Sequence, residues 1–316
     1  MPFSNFPNGF TNGITIRGVP LNVLHPGKVF WVGNAAAAAL PNMKTASDGN
    51  KGTFNDPFST LDYAIGQCTA GRGDIIMVKP GHAENLAAAA AITSDVAGVA
   101  VVGLGAGSLR PKFSWTAAAA DWNITANNLS FYNIEFQANF ADVASGIDVS
   151  GVTGLTFDSC YFTEAGTDLN WVDVMDFATG AADIHFVNCR FIGGDASNDS
   201  FITGVDFNGL YIKDCYFASN VAQTAAVGLI ETSGNATNVW IDGCAFRSNI
   251  DGALWVDFNG AANGGLITNC NVSSIDTAGA QTTLDFTGGH AFNCRVAGEA
   301  DVWGLEGGGS AVYNNA

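Results

Sequence analysis

Five segments decide the fold: NLSFYNIEF (128–136), GLTFDSCYF (154–162), DIHFVNCRF (183–191), GLYIKDCYF (209–217) and NVWIDGCAF (238–246) are variants of one pattern. Two looser copies follow, GLITNCNV (265–272) and GHAFNCRV (289–296). Cys160, Cys189, Cys215, Cys244, Cys270 and Cys294 are separated by 29, 26, 29, 26 and 24 residues, and Ile134 holds the matching place one copy earlier. Such a period, too long for a heptad and too regular for chance, marks a solenoid. Three residues before the Cys stand Phe131, Phe157, Phe186, Ile212, Ile241, Ile267 and Ala291. Two residues after it stand Phe136, Phe162, Phe191, Phe217, Phe246, Val272 and Val296. Positions −5 and −3 keep the two-residue period of a strand, and so do 0 and +2. Between −3 and 0 the phase slips by one residue, which turns the chain while keeping both sets inward. The residue at −1 is Asn133, Ser159, Asn188, Asp214, Gly243, Asn269 or Asn293, mostly types that tolerate left-handed backbone angles.

A strand, a tight corner and a second strand repeated in this way predict an all-β, right-handed parallel β-helix. Each coil alone leaves an apolar face open, and the next coil closes it at about 4.8 Å. The cysteines are then small buried hydrophobes in an interior ladder rather than redox or metal groups. Seven cysteines with no C-x-x-C pair fit neither a full disulfide framework nor a zinc ribbon.

Composition agrees with this fold. Charged residues are 13% of the 316, about half the usual share, and glycine numbers 39. Twelve Lys and Arg against 29 Asp and Glu leave a net charge of −17, which repels phosphate backbones and excludes nucleic acid as a partner. Met1–Phe10 has no basic residue and no apolar run, so no secretory signal is expected there. The most apolar stretch, 86–104, is interrupted by Ser94, Asp95 and Gly98, so no membrane span is expected.

Upstream, 71–82 and 97–107 read as strand-then-turn units of the first coils. DPFSTLDYAIGQC (56–68) reads as a short amphipathic helix, capped after Asp56-Pro57, that covers the open end of the β-helix. The domain reading is an N-terminal arm and linker over 1–46, which packs on a partner, and a β-helix with end caps over 47–316.

The runs HPGKVFWVGN (25–34), SDGNKGTFNDPFSTLDYAIGQC (47–68), GDIIMVKPGHAE (73–84) and VAVVGLGAGSLRP (99–111) resemble a group of tailed-bacteriophage virion proteins. The middle stretch is also similar to the opening of pectate-lyase-like and tail-spike β-helices. The resemblance covers roughly the first 140 residues. It implies a right-handed β-helix, a homotrimer, a place on the virion after assembly in the host cytoplasm, and docking on capsid or other virion proteins through the N-terminal arm.

Chemistry is sought first in a column of acids. Asp148, Asp176, Asp206, Glu231, Asp257 and Asp285 each precede or follow an apolar residue in similar local text, which points them outward on one face. Stacked carboxylates about 5 Å apart match the spacing of a retaining glycosidase pair and suit a hard cation. Duplication of a soluble outer face yields the same column, and a catalytic pair should differ from its neighbours. The expectation is therefore no catalytic residue, no metal and no cofactor. Trp122, Trp171, Trp240 and Trp255 offer either a sugar-stacking platform or a subunit interface. His25, His82, His185 and His290 are unassigned. The triplet Arg72-Gly73-Asp74 and the run 103–107 are turns, and no nucleophile elbow or zincin motif occurs. Two functions remain: a non-enzymatic capsid decoration or head spike, and alternatively a tail-spike-type protein that binds or depolymerises host glycan.

Overall fold

In a computed structural model of the chain, Leu129–Tyr132 pairs in parallel with Leu155–Asp158, residue for residue. The same register continues upward through Ile184, Leu210 and Val239. The structure describes residues 15–16, 19–20, 27–34, 44–166, 168–193, 200–219, 230–248, 256–258, 263–274, 284–286, 288–297, 305–306 and 310–312. Among them the strands form a three-faced, right-handed parallel β-helix. The first face has eleven strands, from Val29–Val32 to Ser310–Val312. The second has nine, from Ala83–Leu86 to Arg295–Ala297. The third runs as five strands and then four, joined by a parallel bridge between Ile202 and Ile230.

The corner between the first and second faces lies where the phase slip predicts it. Asn133, Ser159, Asn188, Asp214, Gly243, Asn269 and Asn293 all have φ between 52° and 66°. The geometry is in, out, left-handed, in: Phe157 is buried, Asp158 faces outward, Ser159 turns and Cys160 is buried. A second corner of the same design precedes the first face. Val152 is buried, Thr153 exposed, Gly154 left-handed and Leu155 buried. Its column continues through Asn128, Asp183, Gly209, Asn238 and Gly288. Asn and Asp adopt this backbone at lower cost than other side-chain-bearing residues, because a short polar side chain can bond locally.

Inside, like stacks on like. Phe136, Phe162, Phe191, Phe217 and Phe246 form one column with ring centroids 4.9, 4.4, 4.8 and 4.9 Å apart, nearly parallel. Phe131, Phe157 and Phe186 form a second, at 5.1 and 5.3 Å. All six ladder cysteines are buried. Each thiol donates to a carbonyl of the preceding rung, as Cys160 does to Phe131 (3.4 Å), Cys189 to Phe157 (3.4 Å) and Cys215 to Phe186 (3.5 Å). Burial pushes the Cys160 and Cys189 thiols well above their ordinary range, so they are inert packing groups. Cys68 stands apart from this ladder, half-buried beside the capping helix.

Two boundaries differ from the sequence reading. Helix α1 spans Leu61–Gly66 and its N-cap is Thr60, whose hydroxyl accepts from the Tyr63 amide. Asp56 instead binds Lys44 Nζ at 2.9 Å, and the Phe58 amide donates to the Trp31 carbonyl, so the helix does not begin until Leu61. Asp48 accepts from the amides of Ser59 and Thr60, and Glu84 accepts from the Leu61 amide, which anchors the helix start on the solenoid. The second difference concerns the arm. Val29–Val32 belongs to the β-helix, paired with Ile75–Val78. Close approach makes this strand possible: a Cβ on Gly27 would lie 1.9 Å from the Gly73 carbonyl oxygen. The remainder of the assigned arm and linker lies largely outside the described residues, apart from a two-residue antiparallel pair, Thr15–Ile16 with Val19–Pro20. Among the described residues no helix is long and apolar enough to cross a membrane.

Candidate functional site

The third face carries the acid column, with one correction. Asp148 lies beside Asp176, and Glu231 beside Asp257 and then Asp285. The residue between Asp176 and Glu231 is Thr203, not Asp206. In that rung the third-face strand is only Thr203–Gly204, so Val205-Asp206 falls in the corner feeding Phe207–Lys213. There Asp206 accepts from the Asn235 amide at 2.8 Å. The text "VDF" is shared with Val256–Phe258, but pairing sets register. Glu306 extends the column beyond Asp285, and Asn123 precedes Asp148.

The acids project outward between buried neighbours: Ile147 and Val149 flank Asp148, and Met175 and Phe177 flank Asp176. Ser145 donates its hydroxyl to Asp148, and Thr203 donates to Glu231 at 3.2 Å. Burial, reinforced by the Asp148 charge, raises the Asp176 carboxyl above the usual range, and Asp121 is raised in the same way. No strand of this face contains Lys, Arg or His. Among the described residues no cluster of three or more His, Cys, Asp or Glu is arranged to hold a metal ion.

The tryptophans separate into inside and outside. Trp122 and Trp171 are buried against Trp115, with Trp122 Nε1 donating to Ser94 Oγ at 2.9 Å and Trp171 Nε1 to the Thr163 carbonyl at 3.0 Å. They are core residues and cannot form a platform. Trp255 and His25 lie outside the described residues. His82 is buried, with Nε2 3.1 Å from Glu84. Trp240 faces solvent, 51% exposed.

Trp240 belongs to an outward row on the first face, four residues before each ladder position. The row runs Ser130, Thr156, His185, Tyr211, Trp240, Leu266 and His290, each in register with the next. The His185 ring stacks on Tyr211 with centroids 4.6 Å apart and planes 19° apart. His185 Nε2 lies 2.8 Å from Asp183. A parallel row two residues later holds Val187, Lys213 and Asp242. Between the two rows lies an open groove of about 240 Å³ lined by His185, Val187, Tyr211, Lys213, Trp240 and Asp242. Hydrogen bonds from Thr268 Oγ1 and Asn269 Nδ2, both 2.7 Å, hold the Asp242 carboxyl below its usual range, helped by Lys213. Asp242 is therefore an ionised, fixed acceptor beside an exposed indole. The sequence offers Trp240 as a platform candidate and leaves His185 unassigned; the two join only down the column at position −4, where Tyr211 lies between them.

No family model and no curated protein matches this chain. Solved structures do. A rhamnogalacturonan lyase aligns over 84% of this chain and 73% of its own with a TM-score of 0.54 at 12% identity. A pectin methylesterase from Aspergillus niger aligns over 90% and 93% with a TM-score of 0.50 at 14% identity. By name these neighbours are a lyase and an esterase of pectic polysaccharides, and at these identities the likeness is one of fold, the parallel β-helix.

Proposed function

We propose that the protein is a glycan-binding β-helix that holds a polysaccharide on the outer surface of its first face, through the His185–Tyr211–Trp240 row. One observation carries this reading: a half-exposed indole in register with two further rings, beside a groove that offers an ionised acceptor and a lysine. Aromatic faces match the apolar faces of sugar rings, and a few placed polar groups fix orientation. The fold neighbours add support, since by name both act on pectic polysaccharides. The resemblance of 25–34, 47–68, 73–84 and 99–111 to phage virion proteins supports a place on a virion, as a homotrimeric tail-spike-type binder or head spike attached through the N-terminal arm. We read the activity as binding without cleavage. The acid column holds Asp or Glu at most of its rungs, and no described strand of that face contains Lys, Arg or His, which suits a solvated surface better than a reaction centre.

The direct test is affinity for host-type surface glycans by calorimetry. Trp240→Ala should weaken binding at least tenfold while leaving the circular dichroism spectrum unchanged; unaltered affinity would remove the platform. Incubation with the bound glycan should release no reducing ends or unsaturated sugars. Fragments that disappear in Asp176→Asn would make the protein an enzyme instead. Deletion of residues 1–26, which leaves the first solenoid strand intact, should abolish incorporation into particles; retained incorporation would refute the anchor.

A further inference from the structure

We infer that the first-face groove takes a neutral glycan, one without uronate, sulfate or phosphate groups. This deepens the glycan-binding reading and rests on it. Charge around the groove decides the class. Asp158, Asp183, Asp214 and Asp242 occupy the strand ends and corners beside the ring row, on rungs about 4.8 Å apart. Asp183 and Asp214 are exposed, and Asp242 is kept ionised by Thr268 and Asn269. Lys213 is the one lysine or arginine lining the groove, and its register partner is Asp242. The imidazole of His185 is engaged with Asp183. An anionic chain laid over His185, Tyr211 and Trp240 would therefore bring its acid groups against these carboxylates with a single lysine lining the groove to receive them. At physiological salt the screening length is about 8 Å, longer than one rung, so this repulsion survives in solution.

The arginines that suit acidic sugars are elsewhere. Arg110 and Arg190 both sit over the Tyr161 ring on the second face, with guanidinium carbons 3.4 and 5.2 Å from its centroid. On the first face, carboxylates serve a different purpose. A hydroxyl-rich neutral sugar supplies donors, and Asp242 is an acceptor-only group fixed by two hydrogen bonds. The Trp240 face supplies the apolar contact. The names of the fold neighbours concern pectic polymers, so the inference separates this chain's ligand chemistry from theirs.

The test uses the full-length protein and a panel of bacterial surface polysaccharides that contains both neutral and uronate- or phosphate-bearing members, with dextran, galactomannan, polygalacturonate and alginate as reference polymers. Affinity electrophoresis is run at 20 and 300 mM NaCl. At least one neutral polymer should retard the protein, equally at both salts, and Trp240→Ala should cut that retardation at least tenfold. The polyanions should give none, and the double variant Asp183→Asn, Asp214→Asn should gain measurable polygalacturonate binding at 20 mM NaCl. Trp240-dependent binding to polyanions alone, or a double variant that gains nothing, would overturn the neutral-ligand inference while the glycan reading stands. Binding to no polymer of either kind would sink both.

Discussion

Two columns run side by side through the same rungs and obey the same register. Inside, Phe136, Phe162, Phe191, Phe217 and Phe246 repeat one residue five times; outside, Ser130, Thr156, His185, Tyr211, Trp240, Leu266 and His290 repeat none of their neighbours. The interior is uniform because each ring must fill the space left by the rings above and below it, at close-packed density. No such demand acts on an outward position, so identity there is free to answer to something beyond the fold. In a repeat protein, the informative positions are those at which the repeat is not kept. By this measure the acid column, which keeps Asp or Glu from Asp148 to Glu306 except at Thr203, reads as surface, and the ring row, which keeps nothing, reads as a candidate site.

The contrast can be broken by substitution. The largest effect should come from Phe162→Ala, whose ring is stacked between Phe136 and Phe191. A loss of about 3–5 kcal/mol is expected for truncating a buried phenylalanine, read from urea unfolding midpoints. Loss below about 1 kcal/mol would mean that the inner column is no more constrained than the outer one. Next comes the corner. Asn188→Ala places an ordinary side chain at φ 53° and should cost about 1–2 kcal/mol, whereas Asn188→Gly should be nearly neutral. Equal effects would show that the left-handed column is incidental. Trp240→Ala, by comparison, should alter stability by no more than about 0.5 kcal/mol, as an exposed position does.

The smallest effect concerns the acid column and sharpens its assignment as surface. The Asp176 carboxyl is raised above 3.8 in the folded protein, by burial first and by Asp148 second. The folded state therefore holds that proton to higher pH than the unfolded chain does. Its stabilising contribution is complete below the unfolded value and is lost as pH rises through the folded value. Asp176→Asn should accordingly unfold at slightly higher urea than the parent protein at pH 7 and at nearly the same urea at pH 3. A variant less stable at neutral pH would show that the charge is held by a partner rather than merely tolerated.

Much of this architecture was legible in the chain because the ladder residues are few in type. Cysteine at one position and phenylalanine two later make the register visible without coordinates, and all seven residues read as corners adopt the left-handed conformation. The second corner is harder to read from sequence although Asn128, Gly154, Asp183, Gly209 and Asn238 carry the same chemistry, since it lies where apolar neighbours such as Ala126 and Ala181 are small and mark the inward phase weakly. Asp206 shares local text with Asp257 but not its register, because hydrogen-bonded pairing depends on the length of each rung. Trp122, a platform or interface candidate by residue type, shares the phase of Ile124, and strict alternation puts both inside. Of the groove, the rows of the repeat show His185 and Trp240 only as separate residues. Their union with Tyr211 required reading the repeat down its columns as well as along its rows.

Because each thiol reaches back to the carbonyl of the turn before it, every unit of the solenoid presents the same socket below and the same plug above. A chain built in this way can lose or gain a whole module without disturbing the joints on either side, much as a stack of crates changes height. Genetic duplication or excision of one such module would then alter the reach of the ring row by a fixed step while its chemistry stayed as it was, giving selection a ruler for ligand length that is independent of ligand type.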